Sequence, residues 1–161
     1  MPLARFRRAL AAAAVVALLA PVAAHAQGAG CDGQPTGVKI VVKVENVRDS
    51  QGLMAATFYN DASKFLKKGG SIRVMREPSR APGQSLCFWA PGPGDYAVVV
   101  YQDRDSNHKF AFNLFTGPKE PWGLTHNPPN MSLLHWPTFD QVKFTAHPGE
   151  NVVTISLNYP K

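Results

Sequence analysis

The sequence predicts an all-β domain built from two antiparallel sheets packed face to face. Three observations carry that reading. Seven short runs read as strands, and the first, residues 38–45, alternates with a period of two, the spacing that puts every second side chain of a strand on one face. The chain holds 13 Gly and 14 Pro against only 17% charged residues, a composition of many turns and few long charged helices, which disfavours bundles and coiled coils. Its 161 residues make one ordinary domain. A chain of about 150 residues buries roughly two-thirds of its unfolded surface, so folding requires neither a metal nor a partner subunit.

The elements follow in order. Residues 1–26 read as a signal peptide: Arg5, Arg7 and Arg8 form a positive n-region, residues 9–20 are an uncharged apolar run, and Ala24-His25-Ala26 supplies an A-x-A cleavage site. The apolar run falls short of the roughly 20 residues that cross a bilayer, and no later segment is apolar enough, so the expectation is export to the periplasm or beyond with no transmembrane segment. Arg7-Arg8 leaves the general secretory and twin-arginine routes both open. Residues 27–37 form an N-terminal arm, and residues 38–161 a single sandwich domain.

Val38, Ile40, Val42 and Val44 alternate with Lys39, Val41, Lys43 and Glu45, a half-buried strand. Residues 48–52 carry turn chemistry and 53–59 resume with small and aromatic residues, which predicts a hairpin. Residues 62–68 read as a short helix capped by Asn60 or Asp61 and ended by Gly69-Gly70, with Phe65 and Leu66 packing inward. Further strands are expected at 71–76, 85–89, 96–102, 141–146 and 152–158. Pro91-Gly92-Pro93-Gly94-Asp95 forces a corner before Tyr96, whose hydroxyl can close it, as in the tyrosine corner of Greek-key sandwiches. The whole reads as an immunoglobulin-like or transthyretin-like sandwich of about seven strands, one short helix and one long ordered loop.

Charge and cysteine content bound the function. Loss of the three signal arginines lowers Lys+Arg from 17 to 14 against 11 Asp+Glu, so the net charge falls from +6 to +3. A nucleic-acid partner is not expected. The nearest approach to a basic stripe, Lys64, Lys67, Lys68, Arg73, Arg76 and Arg80, reads as a solvated face, with contact to anionic surface lipid or polysaccharide as the functional alternative. In an oxidising compartment the two cysteines, Cys31 and Cys87, admit one intramolecular bridge, which pins the N-terminal arm. Closing that loop stabilises by up to about 4 kcal/mol in the chain-entropy picture.

Specific function is expected between residues 103 and 130, inside a stretch of nearly forty residues that lacks sustained periodicity, where most connections run to about 4–6. It opens with Asp103, Asp105 and Asn107, a D-x-D-x-N spacing whose alternate oxygens can converge on Ca²⁺. Against this, His108 stands at the sixth position, where a calcium loop uses Gly, and Leu114 at the twelfth, where it uses a bidentate carboxylate. The alternative is that these side chains cap backbone N–H groups in a turn. Trp122, Phe112 and Phe115 either line a ligand groove or form the private core of the loop, and Leu133, Leu134 and Trp136 read as loop core too. His108 and His126 lie near polar groups and are candidates to join Asp103 or Asp105 at a metal, whereas His135 and His147 read as surface or packing residues. Binding residues are therefore sought among Asp103, Asp105, Asn107, His108, Trp122 and His126, with no cofactor expected beyond Ca²⁺.

No catalytic residue is assigned. The chain has no G-x-S-x-G elbow, no H-E-x-x-H and no Walker loop. Glu120 with Asp103 or Asp105 offers a glycosidase-like carboxylate pair whose separation decides its use.

A wider pattern joins these pieces. Val38 to Val47, Phe65-Leu66 with a following Gly, Pro93-Gly94-Asp95-Tyr96-Ala97-Val98, the run Tyr101 to Lys109, Gly123-Leu124-Thr125-His126-Asn127-Pro128 and Pro137-Thr138-Phe139 follow the signal peptide in that order. The chain thereby resembles the bacterial exported proteins grouped as domain of unknown function 2141, over nearly all of its mature length. The resemblance implies a secreted or periplasmic β-sandwich with no assigned activity. It also implies His-Asp at the strand end and Asn-Gly in the loop, where this chain carries Gln102-Asp103 and Asn107-His108.

The expectation is a non-catalytic exported module that binds an envelope or extracellular ligand through residues 103–130. The alternative is a hydrolase or metal-dependent enzyme using Asp103, Asp105, Glu120 and His126.

Overall fold

The computed structural model describes residues 30–113, 117–128 and 136–160. The expected signal peptide, together with Phe115, Leu133, Leu134 and His135, lies outside them. The described chain is mostly β: β1 (Val38–Glu45), β2 (Leu53–Tyr59), β3 (Arg73–Pro78), β4 (Gln84–Trp89), β5 (Gly94–Asp103), β6 (Phe112–Asn113), β7 (Gly117–Pro118), β8 (Trp122–Leu124), helix α1 (Phe139–Val142), β9 (Phe144–Ala146) and β10 (Gly149–Ser156). All seven expected strands have a counterpart here, and β6, β7 and β8 are short additions inside the long loop.

Two sheets face each other. One has the order β10-β1-β4 and the other β3-β2-β5-β8, with β9 also pairing along β5; β6 and β7 form a separate ribbon. β1 and β10 run parallel, Val38 opposite Gly149 through Glu45 opposite Ser156, and the other pairings are antiparallel. A parallel pair needs a long crossover, and here nearly the whole domain supplies it. The alternation in β1 does what its period requires: Val38, Ile40, Val42 and Val44 are all buried and meet Phe58, Val98 and Val100 from the other sheet in one aliphatic and aromatic core.

Four expectations are corrected. β1 and β2 do not form a hairpin, because they lie in different sheets. Both edges of β1 are taken, by β10 and β4, so residues 46–52 cross from one layer to the other. That crossing is fixed: Val47 is buried, and the Gln102 amide donates to the Asp49 carbonyl (3.1 Å), the Asp49 carboxylate (2.9 Å) and the Gln51 carbonyl (2.9 Å). Gly52 ends it at φ 72°, where a Cβ would stand 2.0 Å from the Asp103 carbonyl oxygen.

Residues 62–68 are not helical. Successive three-residue turns replace the helix, with Lys64 N–H on the Asp61 carbonyl and Lys67 N–H on that of Lys64, and Leu66 breaks the run at φ 57°. Seven residues with two glycines behind them are too few for isolated helical hydrogen bonds to outweigh nucleation. Phe65 packs inward as expected, but Leu66 is 37% exposed. The short helix appears instead at α1, where Thr138 and Gln141 make a capping box, and it displaces the start of the strand expected from 141 to Phe144.

The N-terminal arm is stitched to β4. Cys31 and Cys87 form a disulfide, Asp32 N–H donates to the Cys87 carbonyl (2.8 Å), and Asp32 pairs with Arg73. The corner before β5 closes as its sequence predicts, with the Tyr96 hydroxyl donating to the Gly92 carbonyl at 2.7 Å.

Candidate functional site

β5 is buried along eight consecutive residues, from Tyr96 to Asp103, so both of its faces are covered. Even-numbered residues face the sandwich interior and odd-numbered ones the outer side of the sheet. On that outer side the register sets side chains in rows. Arg76, Ala55, Tyr101 and Trp122 form one row across β3, β2, β5 and β8; Val74, Thr57, Val99 and Leu124 form the next. Gly123 faces inward between Trp122 and Leu124, because a Cβ there would stand 2.6 Å from Ile155 and 2.7 Å from the Ser156 carbonyl oxygen. That absent side chain lets β8 close on β10 while both large neighbours turn outward.

Two aromatic groups rise from these rows. At one end Phe65 meets Tyr59 edge-on (5.2 Å between centroids) and Phe139 of α1 (5.8 Å). At the other, Phe110 packs on Tyr101 (5.2 Å) and Trp122 (6.5 Å), and Trp136 on Trp122 (5.5 Å). These spacings fall in the range where ring edges and faces attract. Between the groups, over Thr57 and Val99, lies a groove of about 1130 Å³. Most of its rings are nearly covered by their neighbours, while Trp136 is 38% exposed at the mouth.

Polar groups punctuate the groove. Burial pushes the Tyr59 phenol above its ordinary pKa, and the neighbouring Tyr101 adds to the rise. Burial raises Tyr101 as well, against the pull of the Arg76 guanidinium within hydrogen-bonding reach. Lys67 and Lys68 line the rim together with His108.

Of the expected binding residues, His108 and Trp122 line this groove, and Asp103, Asp105, Asn107 and His126 do not. Asp103 ends β5 fully buried, and both its oxygens are taken: Oδ1 accepts from Asn107 N–H (3.0 Å) and Oδ2 from His108 N–H (2.8 Å). Asp105 accepts from the Asn107 side-chain amide (2.7 Å), whose own oxygen accepts from Lys109 N–H (2.7 Å). Residues 103–109 thus form a turn tied by its own side chains, with Ser106 at φ 55° and His108 at φ 63°, the left-handed geometry that glycine adopts without cost.

The Asn107 side chain is bonded within the turn, and oxygens of Asp103, Asp105 and Glu120, the carboxylates paired on sequence grounds, lie within 4.8 Å of one another. Oxygens so spaced suit a hard cation. Glu120 is only 5% exposed and accepts from Ala111 N–H (3.0 Å). Burial raises its pKa, the Ala111 N–H opposes that rise, and the Asp103 charge reinforces it. His126 does not join this group. Its Nε2 lies 2.9 Å from the Lys143 carbonyl oxygen, and it lines a separate depression of about 380 Å³ with Phe144 and Asn151. His147 is exposed, as expected.

Sequence reasoning missed the groove's rings, because Tyr59, Phe65, Tyr101, Phe110 and Phe139 come from five separate segments. One signal was present: an unbroken apolar run from Tyr96 to Tyr101 marks a strand covered on both faces, which requires a further layer beyond the sandwich.

The chain belongs to the family described as an uncharacterized protein conserved in bacteria (DUF2141), which it matches over residues 42–154. No curated protein and no solved structure matches it.

Proposed function

We propose, with that family membership as premise, that the protein is an exported, non-catalytic module that binds its ligand in the aromatic groove on the outer face of the five-stranded sheet. The observation that carries this reading is the groove itself, about 1130 Å³ lined by rings with a few phenol, hydroxyl and lysine groups among them. Ligand sites have that make-up: apolar walls hold the body of a molecule and sparse polar groups orient it. Export is supported by the amino-terminal run of arginines and alanines and by the Cys31–Cys87 bridge, which belongs to an oxidising compartment. Among the described residues no helix is long and apolar enough to cross a membrane.

The competing reading, a hydrolase or metal-dependent enzyme, has the Asp103, Asp105 and Glu120 group in its favour. Its difficulty is access. Asp103 and Glu120 are buried, neither lines the groove, and a general acid and base must both reach one reacting group. The binding reading needs no cofactor.

Two measurements test the proposal. Amide chemical shifts recorded against a library of sugars, peptides and lipids are expected to move at Tyr101, Phe110 and Trp122 for at least one compound class, with no turnover of it; shifts confined to the His126 depression, or hydrolysis lost in Glu120→Gln, reject it. Protein recovered from the exporting host is expected to begin at Gln27 and, denatured without reductant, to show no free thiol.

A further inference from the structure

The basic cluster 64–80 was read from sequence as a solvated face, and the structure divides it. Lys64 pairs with Asp61 at 3.6 Å, and Arg73 pairs with Asp32. Lys67, Lys68 and Arg76 have no carboxylate partner among the described residues. Lys67 and Lys68 stand at the groove, and Arg76 stands beside two of its lining residues, Tyr101 and His108. Lys67 and Lys68 line it beside Phe65, and Arg76 heads the row that contains Tyr101, with Nη2 3.4 Å from the His108 carbonyl oxygen. Asp140, the one acid among the described lining residues, is held by Lys143 at 3.0 Å. Lys67 and Lys68 therefore make the Phe65 end of the groove cationic, while at the Tyr101 end Arg76 stands with Asp103 and Glu120, whose charges also reach Tyr101. The rows of Arg76 and Tyr59 are four residues apart along β2, about 13 Å at roughly 3.3 Å per residue.

On the reading that this groove is the binding site, we infer that its ligand is a linear acidic oligosaccharide. The lining chooses among anionic ligands. A fatty acyl chain is best held by apolar walls all round, but Thr57, Tyr59, Ser71, Tyr101 and Thr138 put hydroxyls among the rings. Such a mixture suits a molecule whose faces are apolar and whose edges are polar, which is the chemistry of a sugar ring lying against an aromatic side chain. Positive charge at the Lys67 and Lys68 end, with rings running on from it for about 13 Å, matches a sugar chain that presents carboxylate to the lysines while further units lie along the rings. Lysines serve there as point charges, and Arg76, already oriented by Tyr101, serves as a planar fork able to take a carboxylate bidentately.

The test titrates the mature protein with three probes, tri-galacturonate, the neutral maltotriose, and laurate, reading tryptophan fluorescence and groove amide shifts. Tri-galacturonate is expected to bind at least about tenfold more tightly than maltotriose, and to weaken by about tenfold between roughly 0.05 M and 0.5 M salt, since exposed charges are screened over such a change. The double variant Lys67→Ala/Lys68→Ala should lose a similar factor and keep the wild-type thermal midpoint, both side chains being exposed. Binding of maltotriose with equal affinity, or of laurate alone, overturns the acidic-saccharide assignment and leaves the groove as the binding site. Absence of any groove response to all three overturns the assignment and counts against the groove as well.

Discussion

The two faces of the five-stranded sheet are built from the same strands and differ in what covers them. On the inner face Met54, Ala56, Phe58, Val98 and Val100 meet Ile40, Val42 and Leu86 of the opposing sheet, and these residues are covered almost completely. On the outer face Tyr59, Val99, Tyr101 and Trp122 meet a patchwork: a turn, a four-residue helix and a loop, with a groove of about 1130 Å³ left among them. A sheet facing a sheet can interdigitate side chains all along its length, because both surfaces are pleated at the same spacing. A sheet facing short irregular segments cannot. The comparison teaches that the inner face holds the fold together, while the outer face leaves a groove open.

The largest expected effect tests that division directly. Phe58→Ala empties a fully buried site on the inner face and should lower unfolding free energy by about 3–5 kcal/mol in urea titrations. Trp136→Ala, at the mouth of the outer groove, should cost less than about 1 kcal/mol, as changes at partly exposed positions commonly do. Equal losses for the two would mean that the outer layer is core and that the contrast is mistaken.

A smaller effect is expected at the edge of the inner face. Tyr96→Phe keeps the ring in the core and removes only the bond to the Gly92 carbonyl, so a loss of about 1 kcal/mol is expected by the same titration. No loss at all would mean that the corner is held by its prolines alone.

The subtlest test lies on the outer side. Burial holds the folded pKa of Glu120 above its ordinary 4.5, so the folded protein binds this proton more tightly than the unfolded chain does. Stability from this group is greatest below 4.5 and falls as pH rises through 4.5 and past the folded value. Glu120→Gln removes the titration, and the variant should gain on the wild type as pH increases from about 4 to 7. Thermal midpoints of the pair across that range provide the check. A wild type that instead gains on the variant would show the carboxylate to be stabilised by its N–H donors more than it is penalised by burial.

How much of this was legible before the fold was known differs by region. The strands were, because β1, β4 and β10 each bury one face and therefore carry their period openly. The tyrosine corner was, because the two prolines and two glycines before Tyr96 leave the chain little choice of path. The absent hairpin was not. Residues 46–52 have ordinary turn composition, and only competition for the edges of β1 by β10, over a hundred residues away, sends β2 to the other layer. The carboxylate group was half legible. Asp103, Asp105 and Glu120 offer themselves as a carboxylate group by residue type, but only the fold sets their separation, with Lys119 N–H on the Ala111 carbonyl at 2.9 Å just before Glu120.

By itself the sequence determined what is local: which residues alternate, where the chain must turn, the two cysteines available to pair, and the amino-terminal stretch that reads as an export signal. Only the tertiary structure decided which strands became neighbours, that Lys67 and Lys68 stand at one aromatic trough without an acid partner among the described residues, and that His126 faces elsewhere. The physical reason is range. Period and turn chemistry act over a few residues and leave their mark in the chain as written, whereas sheet order and the meeting of rings from five segments depend on contacts that exist only once both sheets have closed.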